Sequence, residues 1–330
     1  MATVRDIAAH VGVSIATVSR ALNEPNKVSP ETLKVVEDAI NELNYEKKLP
    51  VKKRTNLFGV IFPNISNPFF SELLEVIENE AFHHGRCVLF FNSRHNLRQE
   101  KLYLQECENH DVDGVFLVPH CLDEDYLNQI KKYRFSTVLL TQTSTVLPSI
   151  ALEHKEGGRL AANHLMSLGN TKIGYVGPIN DREDKLIGFK EALDSRHIKL
   201  APEHMFDTEV GNNIQNFVSG LINQDGKVSV SAIFCVNDVF AQQVIEAFLT
   251  SGIRIPDDVV VVGFDNSLTS KLLNISSVSQ PMREIAHVGF DEMLVQLKAT
   301  EKKSAYTPQL LLPRLVVRGS SIQIVKEQQQ

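Results

Sequence analysis

Seventeen residues near the N-terminus, D-I-A-A-H-V-G-V-S-I-A-T-V-S-R-A-L (6–22), carry the side chains best suited to chemistry in this chain. The chemistry is recognition rather than bond-making. Ile15, Ala16, Thr17, Ser19 and Arg20 share the outward face of a short helix. Small side chains allow close approach, hydroxyls reach phosphates, and an arginine can fork onto guanine in a major groove. Ala8 is small where two helices must cross, and Gly12, four residues on, tolerates the unusual backbone angles of a turn. Ile7, Val13 and Val18 supply the apolar lock between the helices. Spacing and residue type together predict a helix-turn-helix.

A second set of polar groups stands just beyond apolar runs. Asn237-Asp238 follows FCV, and Asp265-Asn266 follows VVVVGF. Carboxylates and amides at strand ends can hold ligand hydroxyls bidentately, with helix N-capping as the competing role, preferred for Asp238. Phe69 and Phe70 follow Asn67-Pro68 at a strand-to-helix junction. Two adjacent aromatics cannot both face one core, so one is left to stack on a ligand ring. No Gly-x-Ser-x-Gly, dinucleotide fingerprint, phosphate-loop lysine or His-Glu-x-x-His helix is present, so neither enzyme chemistry nor a cofactor is implied. His83 and His84 are adjacent and point apart on a helix, which removes them as a metal pair. Cys87, Cys107, Cys121 and Cys235 are scattered without a Cys-x-x-Cys pair, as expected of reduced thiols.

These groups need elements to hold them. Residues 1–45 read as three helices: Thr3 with Asp6 opens the first, Ser14 the second, and Ser29-Pro30 the third. Residues 46–56 form a basic linker interrupted by Pro50. From 57 to 330, short Val/Ile/Leu/Phe runs alternate with helical patterns: LFGVIF, CVLFF, GVFLV, TVLLT, then KIGYVG, SAIFCV and DVVVVGF. Such alternation means buried parallel strands in βαβ units. A break near 155–165 divides them into two doubly wound lobes with a cleft between, a fold of α/β class behind an all-α headpiece.

Composition narrows the function classes. The 330 residues exceed one ordinary core, and 43% hydrophobic with 22% charged residues fits a globular chain. No run approaches the roughly 18 apolar residues of a membrane helix. MATVRDIAAH lacks a secretory pattern, so a cytoplasmic location is expected. The net charge of −6 argues against a nucleic-acid binder, but it is unevenly spread. Residues 1–56 hold nine Lys/Arg against seven Asp/Glu, leaving 25 against 33 for the rest, so only the front of the chain is suited to phosphates.

The run V-R-D-I-A-A-H-V-G-V-S-I-A-T-V-S-R-A-L-N, with V-S-P-E-T and I-N-E-L-N-Y, resembles the lactose-repressor (LacI/GalR) family of transcriptional regulators. The likeness continues through NISNPFFSELLEVIE (64–78), DVDGVFLVP (111–119), FCVNDVFA (234–241) and IPDDVVVVGFDNS (255–267). It implies a helix-turn-helix headpiece and a periplasmic-binding-protein-like core whose chain crosses between lobes three times. The N-lobe would comprise about 57–157 and 280–306, and the C-lobe 158–279 and 307–330. Carried over, the base readers are Ile15, Ala16 and Arg20, and the phosphate contacts are Thr3, Ser14, Thr17, Ser19, Asn23, Ser29 and Thr32. The partners implied are pseudo-palindromic double-stranded operator DNA, a second copy of the chain, and a small-molecule effector of sugar type. Effector contacts would come from Phe69, Phe70, Asn237 and Asp265, with Gln280 at a lobe crossover. The family's cleft arginine, three residues before a Gly-aromatic pair, is here Lys185, which lacks the planar fork. The linker departs from the pattern, because Pro50 interrupts any hinge helix; Leu49 is the one candidate for a minor-groove wedge, and Lys52 a phosphate contact. A catabolite-control regulator with a protein corepressor is the alternative. It calls for a basic patch near 283–300, where only Arg283 and Lys298 stand among acids.

Overall fold

The computed structural model describes residues 2–23, 27–43, 45, 54–211, 213–299 and 301–322. Two compact units divide the chain, Met1–Lys53 and Arg54–Gln330. The first is three helices, α1 (Val4–Val11), α2 (Ile15–Asn23) and α3 (Pro30–Glu42). A capping box starts α1: the Asp6 N–H donates to Thr3 Oγ1 at 3.3 Å and the Thr3 N–H donates to Asp6 Oδ2 at 2.7 Å. Gly12 ends it at φ 72°, with its N–H donating to the Ala8 carbonyl at 3.0 Å. That left-handed residue turns the chain into α2 within three positions. Ile7, Ala8, Val18, Ala21, Val36 and Ala39 are buried together, with Val13, Leu33, Ile40 and Leu43 packed around them. The sequence's helical stripes are thus the faces that meet.

The second unit contains two six-stranded sheets. In the N-lobe, β1 (Leu57–Phe62), β2 (Cys87–Asn92), β3 (Gly114–Leu117), β4 (Ser136–Leu140) and β5 (Ser149–Leu152) carry the runs read as strands. Helices α4 (Pro68–His83), α5 (Leu97–Asn109) and α6 (Glu124–Lys131) connect them. The C-lobe runs α7 (His154–Ser167), β6 (Ile173–Gly177), α8 (Asp184–Asp194), β7 (Met205–Asp207), α9 (Ile214–Gly220), β8 (Ala232–Cys235), α10 (Asp238–Thr250), β9 (Val260–Asp265), α11 (Leu268–Leu272) and β10 (Ser276–Ser279). The chain then returns to the N-lobe for α12 (Met282–Lys298) and β11 (Gln309–Leu311), and ends in the C-lobe with β12 (Arg314–Val316). Strand order is β11-β5-β4-β3-β1-β2 and β12-β10-β9-β8-β6-β7, all parallel except β12 against β10.

One expected boundary is corrected. The resemblance places residues from 307 in the C-lobe, yet Gln309–Leu311 pair with β5 in the N-lobe sheet. Pro313 has no N–H for a ladder, and the crossing between the two sheets falls there. Phe58, Phe62, Phe116 and Phe290 fill the N-lobe core, and Tyr175, Phe189, Phe234 and Phe264 the C-lobe core. No helix among the described residues is long and apolar enough to cross a membrane.

Candidate functional site

Two places in the structure gather the recognition chemistry. In the headpiece, Ile15 is 49% exposed at the start of α2, and Ala16, Ser19 and Arg20 are exposed beside it. These side chains share the open face of α2, opposite the buried Val18 and Ala21. Ser14 Oγ accepts the Thr17 N–H at 3.0 Å, and Ser29 Oγ accepts the Thr32 N–H at 3.3 Å. Each paired hydroxyl set, Ser14–Thr17 and Ser29–Thr32, is 2.8 Å apart. Thr3, Ser14 and Ser29 therefore sit at the N-termini of α1, α2 and α3, where N–H groups and helix dipoles favour phosphate oxygens. Leu49, Lys52 and the side chain of Asn23 lie outside the described residues.

The second place lies where β9 and β10 end and the chain crosses between lobes. Asp265, the last residue of β9, is 3% exposed, and its Oδ1 accepts Gln280 Nε2 at 2.6 Å. Burial pushes its carboxyl up to about 7, against the pull of Lys185 and with a push from Asp238; Gln280 and the opposite lobe's Asn67 favour the charged form. The Lys185 ammonium stands 4.1 Å from the Phe264 ring centroid and donates to the Val236 carbonyl at 3.0 Å.

The placing of Lys185 follows from close packing. A Cβ on Gly188 would run into the Lys155 carbonyl, and one on Gly158 into the Lys185 carbonyl. Helices α7 and α8 therefore meet backbone to backbone, which explains the glycine three residues after Lys185.

His154, the first residue of α7, was not singled out by sequence. Its Nε2 is 3.0 Å from the Thr141 carbonyl oxygen, so it carries the proton and Nδ1 is left an acceptor. Burial, reinforced by Lys185, drives the imidazole down to about 3 and keeps it neutral. His154 Nδ1 and Gln280 Oε1 are buried without partners among the described residues. The only sequence signal for His154 was its position directly after an apolar run at the break near 155–165.

Two expected effector contacts change role. Phe69 is 2% exposed within the N-lobe core, and half-buried Phe70 packs against that same core, its ring centroid 5.6 Å from that of Phe62, so both aromatics face one core. Asn237 caps α10, its Oδ1 accepting the Phe240 N–H at 2.8 Å, so that oxygen is already engaged in starting the helix. Asp238, read as a cap, is buried and holds Ser267 and Ser277 instead.

A helix-turn-helix unit joined to a two-lobed sheet core with a polar crossover defines a DNA-binding regulator with a ligand-binding-protein-like domain. The chain belongs to the lacI family of bacterial regulatory proteins, whose model matches residues 3–48, while a periplasmic binding protein-like domain model matches 162–321. It is 32% identical over 335 residues to the ribose operon repressor of Halalkalibacterium halodurans, covering 97% of each chain. Its fold is similar to that of the lac repressor dimer bound to operator and the anti-inducer ONPF (TM-score 0.69, 25% identity, covering 98% of this chain and 99% of that one). It is similar as well to a LacI family regulator of Enterococcus faecium with bound ribose (TM-score 0.69, 25% identity, 80% and 98% covered). The chain is a transcriptional regulator, not an enzyme.

Proposed function

We propose that the headpiece represses an operon by reading a pseudo-palindromic operator as a homodimer in the cytoplasm. A neutral, polyhydroxylated effector of sugar type, bound at the crossover, controls its affinity. The observation that supports this most is the set of acceptors there: Asp265 carboxylate, His154 Nδ1 and Gln280 Oε1, the last two unpartnered. Buried acceptors without donors are costly, and a ligand rich in hydroxyl donors relieves that cost. The name of the ribose operon repressor and the ribose in the Enterococcus faecium protein agree with the same class. Two-fold pairing of half-sites is the reason to propose a dimer, since one short recognition helix reads too few bases.

The test is a thermal-shift screen of D-ribose, other neutral sugars, ribose 5-phosphate and hypoxanthine, followed by calorimetric titration of the best binder. A neutral sugar should bind, and Asp265→Ala should abolish the effector response while leaving operator affinity intact. Preferential binding of the phosphate ester or the purine would refute the class. Sedimentation showing a monomer at micromolar concentration would refute the dimer.

A further inference from the structure

Asp265 and Asn266 both adopt positive φ, 103° and 53°. Side chains with a Cβ avoid that region, and two in succession persist only where the surroundings over-determine them. The surroundings here are unusually explicit. The Asn266 N–H donates to Ser277 Oγ at 2.9 Å, and Ser277 Oγ in turn donates to Asp238 Oδ1 at 2.6 Å. Asp238 Oδ2 takes both the Ser267 N–H at 2.7 Å and the Ser267 hydroxyl at 2.9 Å. From the segment after β12, Arg318 Nη2 donates to Asn266 Oδ1 at 2.5 Å and Nη1 to the Ile275 carbonyl at 2.8 Å.

Ordinary stability does not account for this arrangement. Asn237 already caps α10, so Asp238 is not needed for that purpose. Ser267 stands at the cap of α11, but its side chain makes no capping bond and serves Asp238 instead. Asp238 is 1% exposed, and among the described residues neither it nor Arg318 has an ion-pair partner. A buried carboxylate and a guanidinium are thus both spent on one turn.

We infer that Ser277 and Arg318 are positioning residues for the cleft: with buried Asp238 they hold the Asp265–Asn266 turn left-handed and so set where the Asp265 carboxylate stands. The inference rests on the reading of Asp265 as an effector contact. Its structural half is testable without any ligand.

The experiment follows the Asp265 carboxyl by carbon NMR in full-length protein labelled at aspartate, with Asp265→Asn to assign the signal. Ser277→Ala removes a hydroxyl from Asp238, and the weaker Asp238 charge would by itself lower the Asp265 midpoint, so Arg318→Lys, which keeps the charge and loses the fork, is the control. Arg318→Gln removes a cation, which by charge alone would push a nearby carboxyl up. Release of the turn hydrates Asp265 and moves its titration the other way. All three variants should lower the Asp265 midpoint by at least one pH unit and weaken D-ribose binding at least tenfold. An unmoved midpoint, or an upward shift in Arg318→Gln, would overturn the inference; should that variant not fold, Arg318→Lys decides, with an unmoved midpoint again overturning it. If Asp265→Asn binds D-ribose as the parent does, the effector reading fails, while the titration still judges the brace.

Discussion

On the proposed reading, Arg20 and Lys52 do two jobs that share one charge. Arg20 is exposed on the recognition helix beside Ile15 and Ala16, where a planar fork can address a guanine edge. Arg20→Ala should relax discrimination at one base pair per half-site, costing about 1–3 kcal/mol per contact. Lys52→Ala should weaken all operator variants alike and reduce the salt slope by about one. Binding titrations over single-base operator variants at several salt concentrations distinguish the two, and identical profiles would contradict the division. Asp265 offers a prediction of a different kind. Its carboxyl titrates near 7 when folded against 3.8 ordinarily, so the folded state holds the extra proton between those values. Its contribution is complete below about pH 4 and is lost as pH rises through 7. Asp265→Asn should therefore gain melting temperature relative to the parent between pH 5 and pH 8. His154, driven down by burial, acts in the opposite sense and costs stability as pH falls below 6.5, but it is common to both proteins. A constant difference across that range would show that Asp265 is not buried as a neutral acid.

At the scale of elements, the crossing of α7 and α8 is what sets Lys185 against the Val236 carbonyl and the Phe264 ring. Gly188→Ala would set a methyl against the Lys155 carbonyl, which belongs to backbone and cannot swing aside. Overpacking of that kind costs about 1–3 kcal/mol, partly offset by alanine's better helix propensity of about 1 kcal/mol. The denaturation midpoint should fall and effector binding weaken together; a more stable variant with unchanged binding would mean the helices can part freely. The headpiece was legible in sequence because its signals are local: a cap at Thr3, a left-handed Gly12 and apolar positions at helical spacing. Most strands were legible as continuous apolar runs. What escaped was pairing between distant segments. Nothing local in QLLLPRLVV says that its halves enter different sheets, and nothing near Asp238 announces Ser267 or Ser277 as its partners. Phe69 and Phe70 show the same limit, since only the packing of α4 decides that the first is fully buried and the second partly buried against one core.

Across the whole core unit, one contact spans the lobes at the mouth of the cleft. Glu72 of α4 accepts the Leu268 N–H of α11 at 2.5 Å, and its other oxygen pairs with Lys271 Nζ at 3.1 Å. Since Ser267 does not cap α11, a carboxylate from the opposite lobe does so. The pair is partly exposed, 25% and 45%, so screening limits it to roughly 1 kcal/mol or less. That still amounts to a several-fold shift between open and closed arrangements. Glu72→Ala should broaden the ligand-free lobe-to-lobe distance distribution measured between spin labels on the two sheets. An unaltered distribution would mean other contacts alone hold the lobes.

The triple crossing also dictates an order of events during synthesis. Strand β11 completes one sheet and β12 the other, and buried Ser320 and Ser321 bond into β9, β10 and α7 from beyond both. A chain emerging from the ribosome at about 5–20 residues per second can fold its headpiece at once. Both sensor lobes must wait, incomplete, until roughly the last twenty residues described have appeared. For most of its own translation, the nascent chain carries a complete headpiece ahead of two unfinished sheets.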